Sequence, residues 1–212
     1  MGYPEAMERL LAELNGLPGV GPRTAERLAH HLLGVERAAA LRLARALQDA
    51  HREVRLCERC FQYTDQAMCS VCRDAGRDAR RVLVVAEPKD VALLEKAGWD
   101  GTYHVLLGRL DPVDPNDRGA GLTLEALCRR LESEPIDEVV LGLSADVAGD
   151  GTALWAAARL REARPGMRIF RLARGIPQGL ALEYTNPGVL AEALRERRAV
   201  APEAGTAGGA PP

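Results

Sequence analysis

Apolar residues recur at helical spacing through the first part of the chain. Met7, Leu10, Leu11 and Leu14 fall at i, i+3, i+4 and i+7, one face of a helix that Gly16 ends. Ala25, Leu28, Ala29 and Leu32 give a second helix its apolar face, with Pro22 suited to its first position. A third helix is predicted over 36–55, with Leu41, Ala44, Leu47 and Val54 on its apolar side. From Arg81 the pattern changes. Val82, Leu83, Val84, Val85 and Ala86 form a short, wholly apolar run, suited to a strand buried on both faces. Further strands are predicted at 103–107, 138–142 and 167–172, and helices at 90–97, 123–134 and 151–163. A loop rich in Gly, Pro and Asp fills 108–121. Leu182 to Tyr184 reads as one more short strand, and 189–198 as a last helix. Strands separated by helices predict a mainly parallel sheet covered on both faces. The fold class is therefore multi-domain, α followed by α/β.

Between the two patterns lie four of the five cysteines, as Cys57-Glu-Arg-Cys60 and Cys69-Ser-Val-Cys72. Paired C-x-x-C knuckles let four thiolates reach one tetrahedral ion, a closed zinc site with no open position for water or substrate. The N-terminus has no basic region followed by an apolar stretch, and no run of eighteen apolar residues exists, so neither a signal peptide nor a membrane span is expected. Reduced cysteines then favour metal over disulfides. The cysteine stretch is expected to set the angle between the regions on either side. Cys128 lies among Leu124, Leu127 and Leu131 at helical spacing and reads as a small buried hydrophobe.

The first and second helices are joined by Leu17-Pro-Gly-Val-Gly-Pro-Arg-Thr-Ala-Glu-Arg-Leu28. Gly19 and Gly21 bracket Val20 in a tight turn, followed by the start of a helix. Free N–H groups there, with the positive end of the helix dipole, suit a phosphate, and Arg23 and Arg27 add charge-assisted contacts. Such contacts hold the backbone of a nucleic acid without reading its sequence. The alternative is an ordinary helix turn.

Charge adds little. The net charge is −2 over 212 residues, and residues 1–81 carry thirteen Lys/Arg against eleven Asp/Glu, so a nucleic-acid reading must rest on local placement. Arg59 and Arg73 beside the knuckles read equally as phosphate contacts or as solvated side chains, and Arg77, Arg80 and Arg81 continue a basic edge up to the first long strand. At the carboxyl ends of the strands, where α/β sites form, stand Glu87 and Asp90, then Asp146 and Asp150. Converging there they would hold Mg²⁺; otherwise they cap helices.

The order helix-hairpin-helix, four-cysteine finger, α/β domain resembles the RecR family of bacterial recombination proteins. The resemblance rests on the hairpin sequence, the cysteine spacing and a series of further motifs. These are Arg77-Asp-Ala-Arg80, Glu87-Pro-Lys-Asp-Val91, Glu95, Gly101-Thr-Tyr-His-Val-Leu106, Gly149-Asp-Gly-Thr-Ala153, Gly175-Ile-Pro-Gln-Gly179 and Leu182-Glu-Tyr184. It implies a helix-hairpin-helix region over 1–56, a zinc finger over 57–72, a Toprim domain over 80–175 and an assembly segment over 176–198; the tail over 199–212, mostly Ala, Gly and Pro with no periodicity, lies outside the resemblance and reads as disordered. It further implies DNA binding through Gly19, Gly21, Arg23 and Arg27, and structural Zn²⁺ on Cys57, Cys60, Cys69 and Cys72. The implied partners are RecO and RecF, in loading RecA on gapped DNA. A dimer or ring-shaped tetramer and a cytoplasmic, nucleoid-associated location are implied as well.

Catalytic Toprim domains use a glutamate after the first strand and a later Asp-x-Asp pair with Mg²⁺. Laid on that pattern, Ala86 stands at the glutamate, Ser144 and Asp146 at the pair, so one aspartate is missing, and Ala148 at the family's following acid, so no Toprim catalysis is expected. Asn186 and Pro187 stand where the assembly segment of the family usually has acids. The rival readings are an Mg²⁺-dependent Toprim nuclease or primase using Glu87, Asp90, Asp146 and Asp150, and a pure scaffold whose partners hold the DNA.

Overall fold

The computed structural model describes residues 2–114, 117 and 119–197. The tail at 199–212 lies outside the described residues. The chain divides into two compact units, Met1–Arg55 and Leu56–Pro212.

The first unit holds α1 (Glu5–Asn15), α2 (Pro22–Gly34) and α3 (Arg37–Glu53). Ala25 and Ala29 on α2 are fully buried, as is most of Met7 on α1; small side chains at i and i+4 let two helices approach closely. Tyr3 anchors the N-terminal segment, donating a 2.5 Å hydrogen bond to Glu26 and meeting the His30 ring edge-on at 5.7 Å. The third helix departs from expectation. It forms where its period predicts, but no residue on it is buried, and Leu41, Leu43, Leu47 and the following Val54 are exposed.

A short strand at the boundary, β1 (Arg55–Leu56), pairs with β2 (Tyr63–Thr64) of the second unit, and α4 (Ser70–Arg73) follows. There follow β3 (Asp78–Val85), α5 (Pro88–Lys96), β4 (Gly101–Val105), α6 (Leu124–Ser133), β5 (Glu138–Leu141), α7 (Val147–Ala163) and β6 (Arg168–Arg171). The long strands form one parallel sheet in the order β4-β3-β5-β6. Period-two alternation sends Val82 and Val84 to one face, where Leu124, Leu127, Leu131, Ala153, Ala156 and Leu160 of α6 and α7 cover them. Leu83 and Val85 go to the other face, covered by Val91 of α5 and by Phe61 and Val71 of the cysteine region. Each fully buried Leu contributes about 1.5–3 kcal/mol. Cys128 is buried in the first of these clusters, as its spacing predicts. The chain winds outward in both directions from β3 and β5. The switch point at their carboxyl ends is where a site is expected.

Several boundaries differ from the sequence reading. α5 begins at Pro88 because Glu87 and Asp90 form a capping box, and α7 begins at Val147 because Asp146 caps it. Gly149 lies inside the first turn of α7, where a Cβ would stand 2.1 Å from the Ser144 carbonyl oxygen. β4 runs over Gly101–Val105, two residues earlier than predicted, and Leu107 just beyond it turns to φ 64°. The segment Leu182–Tyr184 is a 3-10 turn and not a strand, closed by hydrogen bonds from Tyr184 N to Ala181 O (3.0 Å) and Thr185 N to Leu182 O (3.1 Å). The last helix, α8, spans Pro187–Arg195, started by the Asn186 side chain accepting from Gly188 N at 2.7 Å.

Candidate metal centre and nucleic-acid interface

The four cysteines converge. Their sulfurs all lie within 4.8 Å of one another and all four residues are buried. A tetrahedron with Zn–S bonds of about 2.3 Å puts its sulfurs roughly 3.8 Å apart, so the cage is the right size. Among the described residues, His, Cys, Asp and Glu side chains gather into one such group, these cysteines. The first knuckle is closed by Phe61 N donating to Cys57 O at 2.9 Å and Cys57 N donating to Gln62 O at 2.7 Å. The second places Cys69 at the start of α4 and Cys72 within it. Hydrogen bonds from the neighbouring cysteines, Cys60 first, hold the Cys69 thiol below its ordinary value, the direction that favours a thiolate ligand. An all-thiolate cage fits a structural ion and leaves no coordination position for chemistry.

Local contacts dock this cage on the sheet. Val105 N donates to Cys60 O at 2.8 Å, and Gln62 Nε2 to Pro88 O at 3.0 Å. Phe61 adopts a left-handed φ of 64°, which costs about 1–2 kcal/mol for a residue with a Cβ and sets its ring edge-on to His104 at 5.4 Å. Burial, then the charge of Arg130, lowers His104 to about 3, so it is a neutral imidazole at ordinary pH. Arg59 lies inside the first knuckle and donates twice to Glu134, at 3.1 and 2.8 Å. Arg130 reaches the same carboxylate at 3.1 and 3.2 Å and also donates to Tyr103 O at 3.1 Å. Arg59 is thus neither a solvated arginine nor free for phosphate, and its partner is seventy-five residues away in sequence. The expected basic edge is likewise neutralised. Arg77 binds Glu95, Arg80 binds Asp137 at 2.7 Å, and Arg81 binds Asp100 at 2.7 Å.

The strand-end acids do not converge. Asp146 accepts from Gly149 N at 2.7 Å and pairs with Arg109 at 2.7 Å. Asp150 lies in the first turn of α7, bound by Arg171 at 2.6 Å and by Arg174, which also pairs with Glu192 of α8 at 3.0 Å. Glu87 caps α5 and pairs with Lys89 at 2.7 Å. The capping alternative describes Glu87, Asp90 and Asp146; Asp150 is an ion-pair hub. The arginines that meet Asp146 and Asp150 come from distant loops and from the end of β6, and local spacing gives no signal for them.

In the first unit the hairpin has the expected geometry. Gly19 sits at φ +77°, Val20 N donates to Leu17 O at 3.0 Å, and Gly21 is the extended residue before α2. The Gly21 carbonyl accepts from Thr24 N and Ala25 N at 3.0 and 2.9 Å. Among the described residues the amides of Gly19 and Gly21 donate to no partner. Arg23 and Arg27 are exposed one turn apart, with no carboxylate against either among the described residues. Helices α1, α5, α6 and α7 each place an acid in the first turn, which complements the helix dipole; α2 places Arg23 there. That end of the unit is an uncompensated cation beside open backbone donors.

The family models for the RecR helix-hairpin-helix and the Toprim domain match residues 7–51 and 80–173. The chain is 42% identical over 200 residues to a recombination protein RecR of Synechococcus elongatus, covering 92% of this chain and 97% of that protein. It is also 42% identical over 200 residues to one of Herpetosiphon aurantiacus, covering 92% and 95%. Identity to that of Rhodopirellula baltica is 39% over 201 residues, covering 93% and 98%. With hairpin, cysteine cage and Toprim sheet in the same order, and identity of this level along nearly the whole chain, the protein belongs to the RecR family of recombination proteins.

Proposed function

We propose that this is a non-catalytic DNA-binding protein of recombinational repair. The observation that carries the reading is the start of α2, where the amides of Gly19 and Gly21, the helix dipole and the guanidiniums of Arg23 and Arg27 stand together without internal partners. Those donors fit phosphate and read no bases, so binding is independent of sequence and falls steeply with salt. Gly21 supports this further. Its φ of −85° is open to any residue and a Cβ there would meet nothing within 4 Å, so the fold alone does not require glycine. A closely approaching phosphate would.

On this reading, supported by family resemblance, the protein acts with RecO, and with RecF where that exists, to load RecA on gapped DNA, in the cytoplasm with the nucleoid. Among the described residues no helix is long and apolar enough to cross a membrane. The four cysteines hold one structural Zn²⁺. The absence of Toprim catalysis is supported by acids already spent on caps and guanidiniums, with Ala86 and Ala148 at two further positions. Exposed apolar residues on α3 (Leu43, Leu47) and in the C-terminal segment (Leu182, Tyr184, Leu194) support a homo-oligomer, dimer or ring-shaped tetramer.

The test is a DNA-binding titration of the purified chain. An Arg23→Glu, Arg27→Glu variant with unchanged folding loses most of its affinity; binding equal to wild type sinks the hairpin reading. DNA cleavage or primer synthesis with Mg²⁺, lost in Asp146→Ala, would overturn the non-catalytic part.

A further inference from the structure

In both units some arginines are tied to a carboxylate, and others, such as Arg73, Arg129 and Arg161 in the second, are exposed with none against them among the described residues. In the second unit Arg59, Arg77, Arg80, Arg81, Arg109 and Arg174 are each tied to a carboxylate. In the first unit Arg9 is tied to Glu5 and Arg52 to Asp49 and Glu53. Arg42 and Arg45 are exposed with no carboxylate against them among the described residues.

Their placement on α3 is ordered. Arg42, Arg45, Asp49 and Arg52 follow i, i+3, i+7 and i+10, one side of the helix. Leu43, Leu47, Ala50 and Val54 follow i, i+4, i+7 and i+11, the opposite side. Ala39 and Ala40, the half-buried residues of this helix, belong to the apolar side. Leu41, one turn before Arg45, adjoins the arginine side and is also exposed. Asp49 on that side is already engaged by Arg52 at 2.8 Å, so its charge does not cancel Arg42 or Arg45. Two unpaired guanidiniums, three residues apart on an exposed helix face, match neighbouring phosphates of a nucleic-acid backbone.

We propose that Arg42 and Arg45 form a second phosphate-binding row, on the face of α3 opposite Leu43 and Leu47, that lengthens the contact with DNA beyond the hairpin. The inference rests on the DNA-binding reading above and deepens it. The row is sequence-independent, and each arginine releases counterions on its own account.

The test is a salt series of anisotropy titrations with the full chain and a labelled duplex. Wild type is compared with Arg42→Gln, Arg45→Gln; with Arg23→Gln, Arg27→Gln; and with Arg52→Gln, the internally paired control. The first double variant is expected to lower the slope of log affinity against log salt by about 2, roughly one per arginine. Arg52→Gln leaves the slope unchanged. No residue of α3 is buried, so the fold should survive, which a thermal melt checks. A wild-type slope in Arg42→Gln, Arg45→Gln, with a reduced slope in Arg23→Gln, Arg27→Gln, overturns this row and leaves the hairpin reading standing. Wild-type slopes in both double variants, or no binding by wild type, overturn both. A reduced slope accompanied by a changed sedimentation coefficient overturns the row in favour of an assembly role.

Discussion

Arg59, held between the two cysteines of the first knuckle, donates two hydrogen bonds to Glu134 at the end of α6, at 3.1 and 2.8 Å. The same carboxylate also takes Arg130, so one acid compensates a half-buried guanidinium and a buried one. It joins the metal cage to a helix that covers the opposite face of the sheet.

Removing that acid is expected to cost more than an exposed ion pair would. Glu134→Ala leaves Arg59 and Arg130 without a counter-charge, and the loss should be about 2–3 kcal/mol, below the full cost of breaking a fully buried pair. Denaturant unfolding measures it, and chelator-driven zinc release should quicken in parallel. Unchanged stability together with unchanged zinc retention would show that the clamp does not couple cage to sheet.

The same group predicts an acid limb in the stability profile. Burial alone would raise the Glu134 pKa, but hydrogen bonds from Arg59 and Arg130 lower it to about 2. Its folded value is therefore depressed below the ordinary glutamate value of about 4.3. The stabilisation is fully present above that unfolded value and is lost as pH falls toward about 2. Allowing for solvent screening, the loss is on the order of 1–2 kcal/mol. Glu134→Gln should flatten this limb; an identical limb in wild type and variant would refute the assignment.

The cysteine cage predicts metal content and a hierarchy of damage. Elemental analysis should find about one zinc per chain. Cys57→Ser with Cys60→Ser should lose it and loosen the sheet face that Phe61 and Val71 cover. The hairpin lies in the other compact unit, so the intrinsic phosphate contact at Arg23 should survive. Full zinc occupancy in the double variant would exclude this ligand set.

Gly19 and Gly21 should separate stability from binding. Gly19→Ala forces a Cβ into φ +77° and should cost about 1–2 kcal/mol of stability. Gly21→Ala should leave stability within about 0.5 kcal/mol, since its backbone angles are ordinary and its surroundings open, yet weaken DNA binding. Equal affinity in Gly21→Ala would mean that no phosphate approaches that backbone.

Much of this was legible along the chain because it is local. Helix periods placed α1, α2, α3 and α6, and C-x-x-C spacing placed a cage that the fold assembles. Gly19 announced a turn because its positive φ suits a residue without a Cβ. Helix starts were less legible. Asp146 and Glu87 look the same as loop acids until the fold shows their side chains turned back on backbone amides, and α7 consequently starts four residues earlier than its apolar period suggested.

What tertiary structure alone decided is which charges are free. Every arginine carries the same charge in sequence, but a guanidinium is available to a ligand only if no carboxylate has already taken it. Folding brought Glu134 to Arg59, Asp146 to Arg109 and Asp150 to Arg174 across long separations. It left Arg23, Arg27, Arg42 and Arg45 without such a neighbour. The sequence by itself determined the elements, the cysteine cage and the hairpin, since each follows from backbone and side-chain chemistry within a few residues. The pairing of charges follows from distances between elements, which exist only once the chain has folded.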